Sequence, residues 1–210
     1  MADIDSMLSD ATKPPSTSYY DEGAQETKVY MGEGEYPAHI NHCETVERTI
    51  QGKYKARIFN FKVKLAKECG DRDYLCNTST GQPVTTKGED FIGREVRASG
   101  VFQYLHPSEG DDFEANPGRN RGYSLFCEAV GKKSKLVSVT IDGEKKKVKE
   151  LPNLTEKDIL GIPVIAVINK GKPWTGKDGK TRTSLEVKFV RTWDEGEKIT
   201  ILADGTDIPF

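Results

Sequence analysis

The sequence has no long hydrophobic run, and this absence excludes a membrane-spanning helix. None of its apolar stretches approaches the roughly 20 residues that such a helix needs. The first ten residues carry Asp3, Asp5 and Asp10 where a secretory signal has basic residues followed by an apolar run. We therefore expect a cytoplasmic protein without a membrane partner.

Cysteine is also scarce, and its spacing argues against a disulfide framework. The four cysteines are Cys43, Cys69, Cys76 and Cys127. Buried free thiols are the expectation. His39, His42 and Cys43 lie on one segment while Cys69 and Cys76 bracket a loop, which leaves a zinc site as an alternative. No CxxC pair is present and the spacing matches no common zinc module, so no cofactor is expected.

Common catalytic motifs are missing. The sequence has neither a GxxxxGK[ST] phosphate loop nor a GxSxG elbow, and its three histidines leave little for triad chemistry. Neighbouring acids, such as Asp111 and Asp112, lie in polar loops where they solvate or cap turns, and no two-metal constellation is visible. We expect a protein that is not an enzyme. A nuclease or strand-annealing enzyme is the weaker alternative.

Charge is present in quantity but is unevenly distributed. Residues 1–35 have eight acids against two lysines, and residues 194–210 have five acids against one lysine. With a total of −2, these net charges of −6 and −4 leave +8 for residues 36–193. We therefore divide the chain into an acidic flexible N-terminal segment (1–35), a basic domain (36–193) and an acidic C-terminal tail (194–210). Local positive charge attracts polyanions.

The basic domain reads mainly as β-strands. Aromatic and β-branched residues predict strands over 35–47, 53–65 and 91–105, with a long polar loop at 68–90. A short helix is predicted at 123–131, with Leu125, Phe126, Ala129 and Val130 on its core side. The elements after it are an inserted hairpin turning at Asp142-Gly143, a short helix beginning after Thr155, and a strand pair within 163–193. Five main strands with one helix after the third predict a Greek-key barrel of the oligonucleotide-binding (OB) type.

The second predicted strand, KYKARIFNFKVK, has five cations and no acid. An unbroken register places Lys53, Lys55, Arg57, Phe59 and Phe61 on one face, where cations contact phosphates and rings stack on bases. In the alternative, a bulge at Ile58-Phe59 keeps both phenylalanines in the core and leaves the cations solvated. The remaining cations of this strand are Lys62 and Lys64.

Further candidate DNA-binding residues lie in loops and in the third strand. Trp174 is expected at the tip of a lysine-rich hairpin that closes over a nucleic-acid strand, or alternatively folded back onto the barrel. Phe102 and Tyr104 are favoured as a second stacking platform. The cations of this group are Arg94, Arg97, Arg119, Arg121, Lys170, Lys172, Lys177, Lys180 and Arg182.

The last residues, DGTDIPF, resemble the acidic tip of bacterial single-stranded DNA-binding proteins. The matching residues are Asp204, Asp207, Ile208, Pro209 and Phe210. The body is similar to phage-encoded single-stranded DNA-binding proteins in Gly52 before the basic strand, GRNRGY before the helix, and ILGIPVIAVINKGKPW leading to TSLEVKFVRTW. The tail is shorter and less acidic than the bacterial one and lacks its Gly/Gln-rich linker.

The resemblance implies an OB-fold protein that coats single-stranded DNA in bacteriophage replication, recombination or repair, in the host cytoplasm. It also implies that the C-terminal tip recruits replication and recombination proteins; a homo-oligomer is left open. The alternative is a virion or other structural interaction protein whose basic face binds an acidic partner.

Overall fold

The computed structural model describes residues 28–50, 54–105, 120–141 and 143–201. This part of the chain is mainly β. The strands of the first half are β1 (Val29–Tyr30), β2 (Gly34–Ile50), β3 (Tyr54–Leu65), β4 (Asp73–Thr78), β5 (Pro83–Lys87), β6 (Glu95–Arg97) and β7 (Val101–Tyr104). Helix α1 (Arg121–Ala129) precedes β8 (Lys135–Ile141), β9 (Glu144–Glu150), helix α2 (Glu156–Ile159), β10 (Pro163–Lys170), β11 (Trp174–Thr175), β12 (Thr181–Arg182) and β13 (Leu185–Thr192).

Six strands form the main sheet, in the order β13-β10-β2-β3-β6, with β7 paired to the other end of β3. All these pairings are antiparallel. The predicted third strand is thus split into β6 and β7, with Gly100 at φ +93° between them. Among the described residues the sheet does not close into a barrel. One parallel bridge, between Ala98 and Val187, connects β13 with the chain that follows β6.

The buried side chains of β3 lie on one side of the strand up to Ile58 and on the other side from Phe59 onward; both of these residues are buried. Its pairing with β2 is continuous here, from Tyr54 opposite Ile50 to Lys62 opposite His42, so no bulge in that ladder produces the change. Instead, helix α1 covers the side of the sheet that carries Phe59. The ring of Phe59 lies 5.7 Å from that of Tyr123 and 6.2 Å from that of Phe126.

Phe59 and Phe61 therefore belong to the core, and their prediction as exposed stacking rings is wrong. Phe61 is 2% exposed and its ring centre lies 5.3 Å from that of Phe126. The predicted core side of the helix also needs one correction, because Leu125 is 54% exposed. Tyr123 takes its place: its hydroxyl donates to the Pro152 carbonyl at 2.7 Å and accepts from the Leu154 amide at 3.1 Å.

The stretch predicted as a long polar loop, 68–90, contains β4 and β5. With β1 they form a three-stranded antiparallel sheet, so residues near the end of the acidic N-terminal segment take part in the fold. Tyr74 of β4 stacks on Tyr36 of β2 with ring centres 4.2 Å apart. A Cβ on Gly32 would lie 2.0 Å from the Leu75 carbonyl oxygen, so this close approach requires glycine.

Residues 194–201, assigned from charge to the acidic tail, lie against the main sheet as far as the structure describes them. His39 Nε2 is 2.8 Å from the Glu197 carbonyl oxygen, and the Ile199 amide donates to the Gly161 carbonyl at 3.0 Å. Trp193 is buried beside His39, with ring centres 5.6 Å apart. No helix among the described residues has the length and apolar character to span a membrane.

Helix α2 begins with the predicted cap: Thr155 and Asp158 form a reciprocal capping box. The Lys132 ammonium, 2.8 Å from the Asp158 carboxylate, and the Thr155 hydroxyl and amide hold the pKa of Asp158 well below its usual range. A depressed pKa in the folded state means that this carboxylate stabilises the fold above its unfolded pKa of about 3.9. The stabilisation is lost as the pH falls through the lower, folded pKa.

We expect Asp158→Asn to lower the free energy of unfolding at pH 7 by about 1 kcal/mol, since it removes a cap and an ion pair. The difference from the unaltered protein should shrink as the pH falls below about 4. Urea unfolding at several pH values measures it, with the exposed Asp194→Asn as the control. A difference that is as large at pH 2.5 as at pH 7 would contradict the assignment.

Candidate nucleic-acid interface

The face of the main sheet opposite α1 is the candidate site, here called the outer face. Directly opposed residues of paired antiparallel strands point to the same side, so each pairing defines a row. Three rows form its centre. They are Val46–Ile58–Phe102, Arg48–Ala56–Tyr104 and His42–Lys62–Arg97. The pairing of β2, β3, β6 and β7 therefore brings aromatic, apolar and cationic residues from four strands onto one surface.

Phe102 and Tyr104 form a ring pair on this face. Their ring centres are 6.3 Å apart and their planes differ by 22°. Phe102 is 36% exposed, and Ile58 is buried in the same row. An exposed ring above an apolar floor is a surface on which a nucleic-acid base can stack. Of the two rings predicted from the sequence as a stacking platform, Phe102 is exposed and Tyr104 is half-buried; their role in stacking stays a prediction.

Two exposed arginines share the outer face with the ring pair. Arg48 lies opposite Ala56, in the row of Tyr104, and is exposed. Arg97 is exposed on β6, next to Lys62, whose ammonium is 3.4 Å from the Glu95 carboxylate. Arg48 was not predicted, because the first strand was expected to end at residue 47. Three further residues of alternating pattern, up to Ile50, were the signal that β2 continues.

The outer face continues across β2 and β10 to β13. The irregularity in β2 between Ile40 and His42 keeps His39 and His42 on the same side, because they oppose Lys64 and Lys62. At the far end Phe189 is 50% exposed, with the Arg191 guanidinium 5.7 Å from its ring centre. Arg191 also pairs with Glu35. Neither Phe189 nor Arg191 was singled out from the sequence.

The Trp174 hairpin extends from the β10–β13 end of the sheet. Strands β11 and β12 pair Trp174 with Arg182, and the guanidinium lies 5.6 Å from the indole ring centre. Arg182 also contacts Asp178 at 2.6 Å. Trp174 is 50% exposed, so the alternative in which it folds back onto the barrel is wrong. The predicted lysines of this segment are all exposed: Lys170, Lys172, Lys177 and Lys180.

Other predicted residues lie elsewhere. Lys55 and Arg57 alternate with Ile58 along β3, so they lie on the side of the strand away from the outer face. Arg57 donates to Asn153 Oδ1 at 2.6 Å and to Glu47 at 3.2 Å. The Arg94 guanidinium is 5.7 Å from the Phe91 ring centre. Arg121 is exposed at the first position of α1. Lys53, Arg119 and the tip residues Asp204, Asp207, Ile208, Pro209 and Phe210 lie outside the described residues.

The histidines and cysteines do not converge on a metal site. His39 and His42 lie on the outer face, whereas Cys43 is buried opposite Phe61 on the core side. Among the described residues no three His, Cys, Asp or Glu side chains are grouped to hold a metal ion. Cys69 is also committed elsewhere, since its thiol donates to the Pro37 carbonyl at 3.2 Å.

We expect all four thiols to be unreactive in the folded protein. Burial raises the pKa of Cys43 to about 12 and that of Cys127 to about 11, and it also raises the pKa values of Cys69 and Cys76. The reactive thiolate is therefore scarce at pH 8. Titration with a chromogenic disulfide should detect no thiol in the native protein and all four in denaturant. One fast-reacting native thiol would contradict this burial pattern.

No family model matches the chain, and neither a curated protein nor a solved structure is significantly similar to it. Its function is therefore inferred from the residues and from the geometry described above.

Proposed function

We propose that this protein binds single-stranded DNA without sequence preference and coats it during replication, recombination and repair. It does so without catalysis. The observation that carries the proposal is the stacked Phe102–Tyr104 ring pair on the outer face, in which Phe102 is exposed and Tyr104 half-buried, with Arg48 and Arg97 exposed on the same face. Rings stack on bases of any kind and cations track phosphates, which is the combination that sequence-independent binding requires.

The strand order supports an OB-type barrel. Counted along the chain, β2, β3, β6 with β7, β10 and β13 are strands one to five, adjacent in the order 5-4-1-2-3, with α1 between the third and the fourth. The parallel bridge between Ala98 and Val187 lies where strands three and five meet when such a barrel closes. OB folds bind oligonucleotides on the face of strands two and three and at the 1–2 and 4–5 loops. Here these are the ring-pair face, the segment that connects β2 to β3, and the Trp174 hairpin.

The charges of the basic domain favour a phosphate backbone as the partner of the outer face. The domain from 36 to 193 carries a net charge of +8. Two acids of the face contact cations, because Glu95 contacts Lys62 and Glu35 contacts Arg191, whereas Glu44, opposite Asn60, is exposed on the same face. Arg48 and Arg97 remain exposed beside the rings. Binding should therefore weaken steeply with salt, as counterion release requires.

Recruitment of partner enzymes is the second part of the proposal. It is supported by the resemblance of DGTDIPF to the bacterial tip, in which acids precede an Ile-Pro-Phe run, here Ile208, Pro209 and Phe210, whose ring can enter a basic-rimmed apolar pocket. Asp204 and Asp207 would steer the encounter with that pocket.

Tryptophan fluorescence tests DNA binding, because the chain has two tryptophans in opposite environments. Trp174 is 50% exposed and Trp193 is 7% exposed. Oligo-dT should quench the emission of the unaltered protein and of Trp193→Phe, but not that of Trp174→Phe. Absence of any quenching, or equal quenching by duplex DNA, would overturn the proposal and favour an interaction protein with an acidic protein partner.

A further inference from the structure

The hairpin of β8 and β9 carries a row of lysines on one face. Strand β9 reads EKKKVKE, and its alternation places Lys145, Lys147 and Lys149 on the same side. Their cross-strand partners on β8 are Thr140, Ser138 and Leu136. We call this face, with its six residues, the lysine ladder.

The ladder contains no acid. Glu144 and Glu150, the acids of β9, have the opposite parity and lie on the other side of the hairpin. Lys149 pairs with Glu128 of α1 at 3.6 Å. Lys145 and Lys147 are exposed, and among the described residues neither has an ion-pair partner. Two unneutralised ammonium groups thus stand side by side on one surface.

This arrangement has an electrostatic cost within the hairpin itself. Alternate residues of a strand lie roughly 7 Å apart, so the ammonium groups of Lys145 and Lys147 repel each other across less than one Debye length. The hairpin forms its own two-stranded sheet, and such sheets are marginally stable in water. A polyanion bound along the ladder would attract both ammonium groups and offset the repulsion between them.

We propose that the lysine ladder is a second contact for the DNA strand. The ladder binds the phosphates of the strand and does not contact its bases. This inference rests on the proposed function and adds to it a site separate from the outer face. Each exposed lysine stands opposite a hydroxyl: Thr140 faces Lys145, and Ser138 faces Lys147. Ammonium and hydroxyl groups together are typical donors to phosphate oxygens. The ladder has no aromatic ring, so it offers no base stacking.

A nucleic-acid strand fits the ladder better than an acidic protein segment does. A docked protein needs an apolar centre to its interface, and the only large apolar side chain of the ladder is Leu136 at its end, 68% exposed. The charge on the ladder is regular, repeating every second residue, as the charge on a phosphodiester backbone repeats every nucleotide. Because Lys149 contacts Glu128 of α1, on the other side of the main sheet, a strand must extend beyond the outer face to reach this second contact.

The test compares two double variants of the full chain with equal loss of charge. Lys145→Gln/Lys147→Gln removes the exposed lysines of the ladder, and Lys135→Gln/Lys146→Gln removes two lysines from the other side of the same hairpin. Affinity is measured for dT of roughly 8 nucleotides, within the span of one OB fold, and of roughly 40 nucleotides, between 0.05 and 0.5 M salt. Thermal melts of all three proteins establish that the fold is unchanged.

For the long oligonucleotide, loss of two phosphate contacts should reduce the slope of log affinity against log salt by about 1.4. That slope corresponds to about 10-fold weaker binding at 0.2 M salt and no difference on extrapolation to 1 M. The short oligonucleotide and the control variant should show no change. If the unaltered protein binds long dT and the two variants behave alike, this inference fails and the proposed function stands. If the unaltered protein binds neither oligonucleotide, the proposed function fails with it.

Discussion

Phe102→Ala should weaken the binding of oligo-dT by about 5- to 150-fold, which corresponds to the 1 to 3 kcal/mol of one base–aromatic stack. Phe102 is 36% exposed and its ring lies beside that of Tyr104, so its removal takes away half of the platform. Because the ring is partly solvated, we expect only a small loss of fold stability. Fluorescence anisotropy with labelled oligo-dT at fixed salt measures the affinity.

Tyr30→Ala is the matched control for this prediction. Tyr30 is 49% exposed and has the Lys28 ammonium 6.0 Å from its ring centre, so it combines a ring and a cation as the platform does. It lies on the three-stranded sheet rather than on the outer face. Its removal should leave the affinity unchanged. Equal losses in the two variants would show that exposed rings bind DNA irrespective of their position.

Phe59→Ala should lower the free energy of unfolding by about 3 to 5 kcal/mol, which is a large part of the stability of an ordinary domain. Phe59 is fully buried and its ring packs against those of Tyr123 and Phe126. Its truncation leaves a cavity under α1 that the surrounding rings cannot fill. Urea unfolding followed by circular dichroism measures the loss.

The affinity for oligo-dT distinguishes the core role of Phe59 from the base-stacking role that the sequence also permits. The conservative variant Phe59→Leu keeps most of the buried volume and should remain folded, with its affinity for oligo-dT unchanged. A variant that unfolds at the same urea concentration as the unaltered protein but binds DNA much more weakly would place Phe59 on the binding surface and contradict the packing described here.

Local chemistry made several elements predictable from the sequence. The Asp142-Gly143 pair predicted the β8–β9 hairpin, whose Gly143 has a φ of +80°. Thr155 and Asp158 predicted the cap of α2. The cluster of lysine, glycine and proline around Trp174 predicted an exposed tip, because few apolar residues lie near enough in sequence to cover the indole.

The register of β3 could not be predicted, because it depends on what covers each face. Alternation in KYKARIFNFKVK gives two sets of side chains but does not say which set α1 will cover. Phe59 and Phe61 contact Phe126, which lies more than 60 residues later in the chain. The burial of both Ile58 and Phe59 results from these distant contacts rather than from a local bulge in the β2–β3 pairing.

The three-stranded sheet and part of the outer face were missed for a related reason. Strands β4 and β5 read as a polar loop because one side of their sheet is exposed, as Leu75 at 66% shows. The pairing of β1 with β4 joins residues nearly 50 positions apart. Likewise, Arg48 and Arg191 share the outer face with Phe102 only through the long-range ladders of the main sheet.

A salt-dependent titration with single-stranded and duplex oligonucleotides of equal length tests the central claim most directly. An outer face of exposed rings and cations predicts tight binding to the single strand, a steep loss with salt, and much weaker binding to duplex, whose bases are not available for stacking. Equal affinity for the two forms, or no binding to either at low salt, would contradict it.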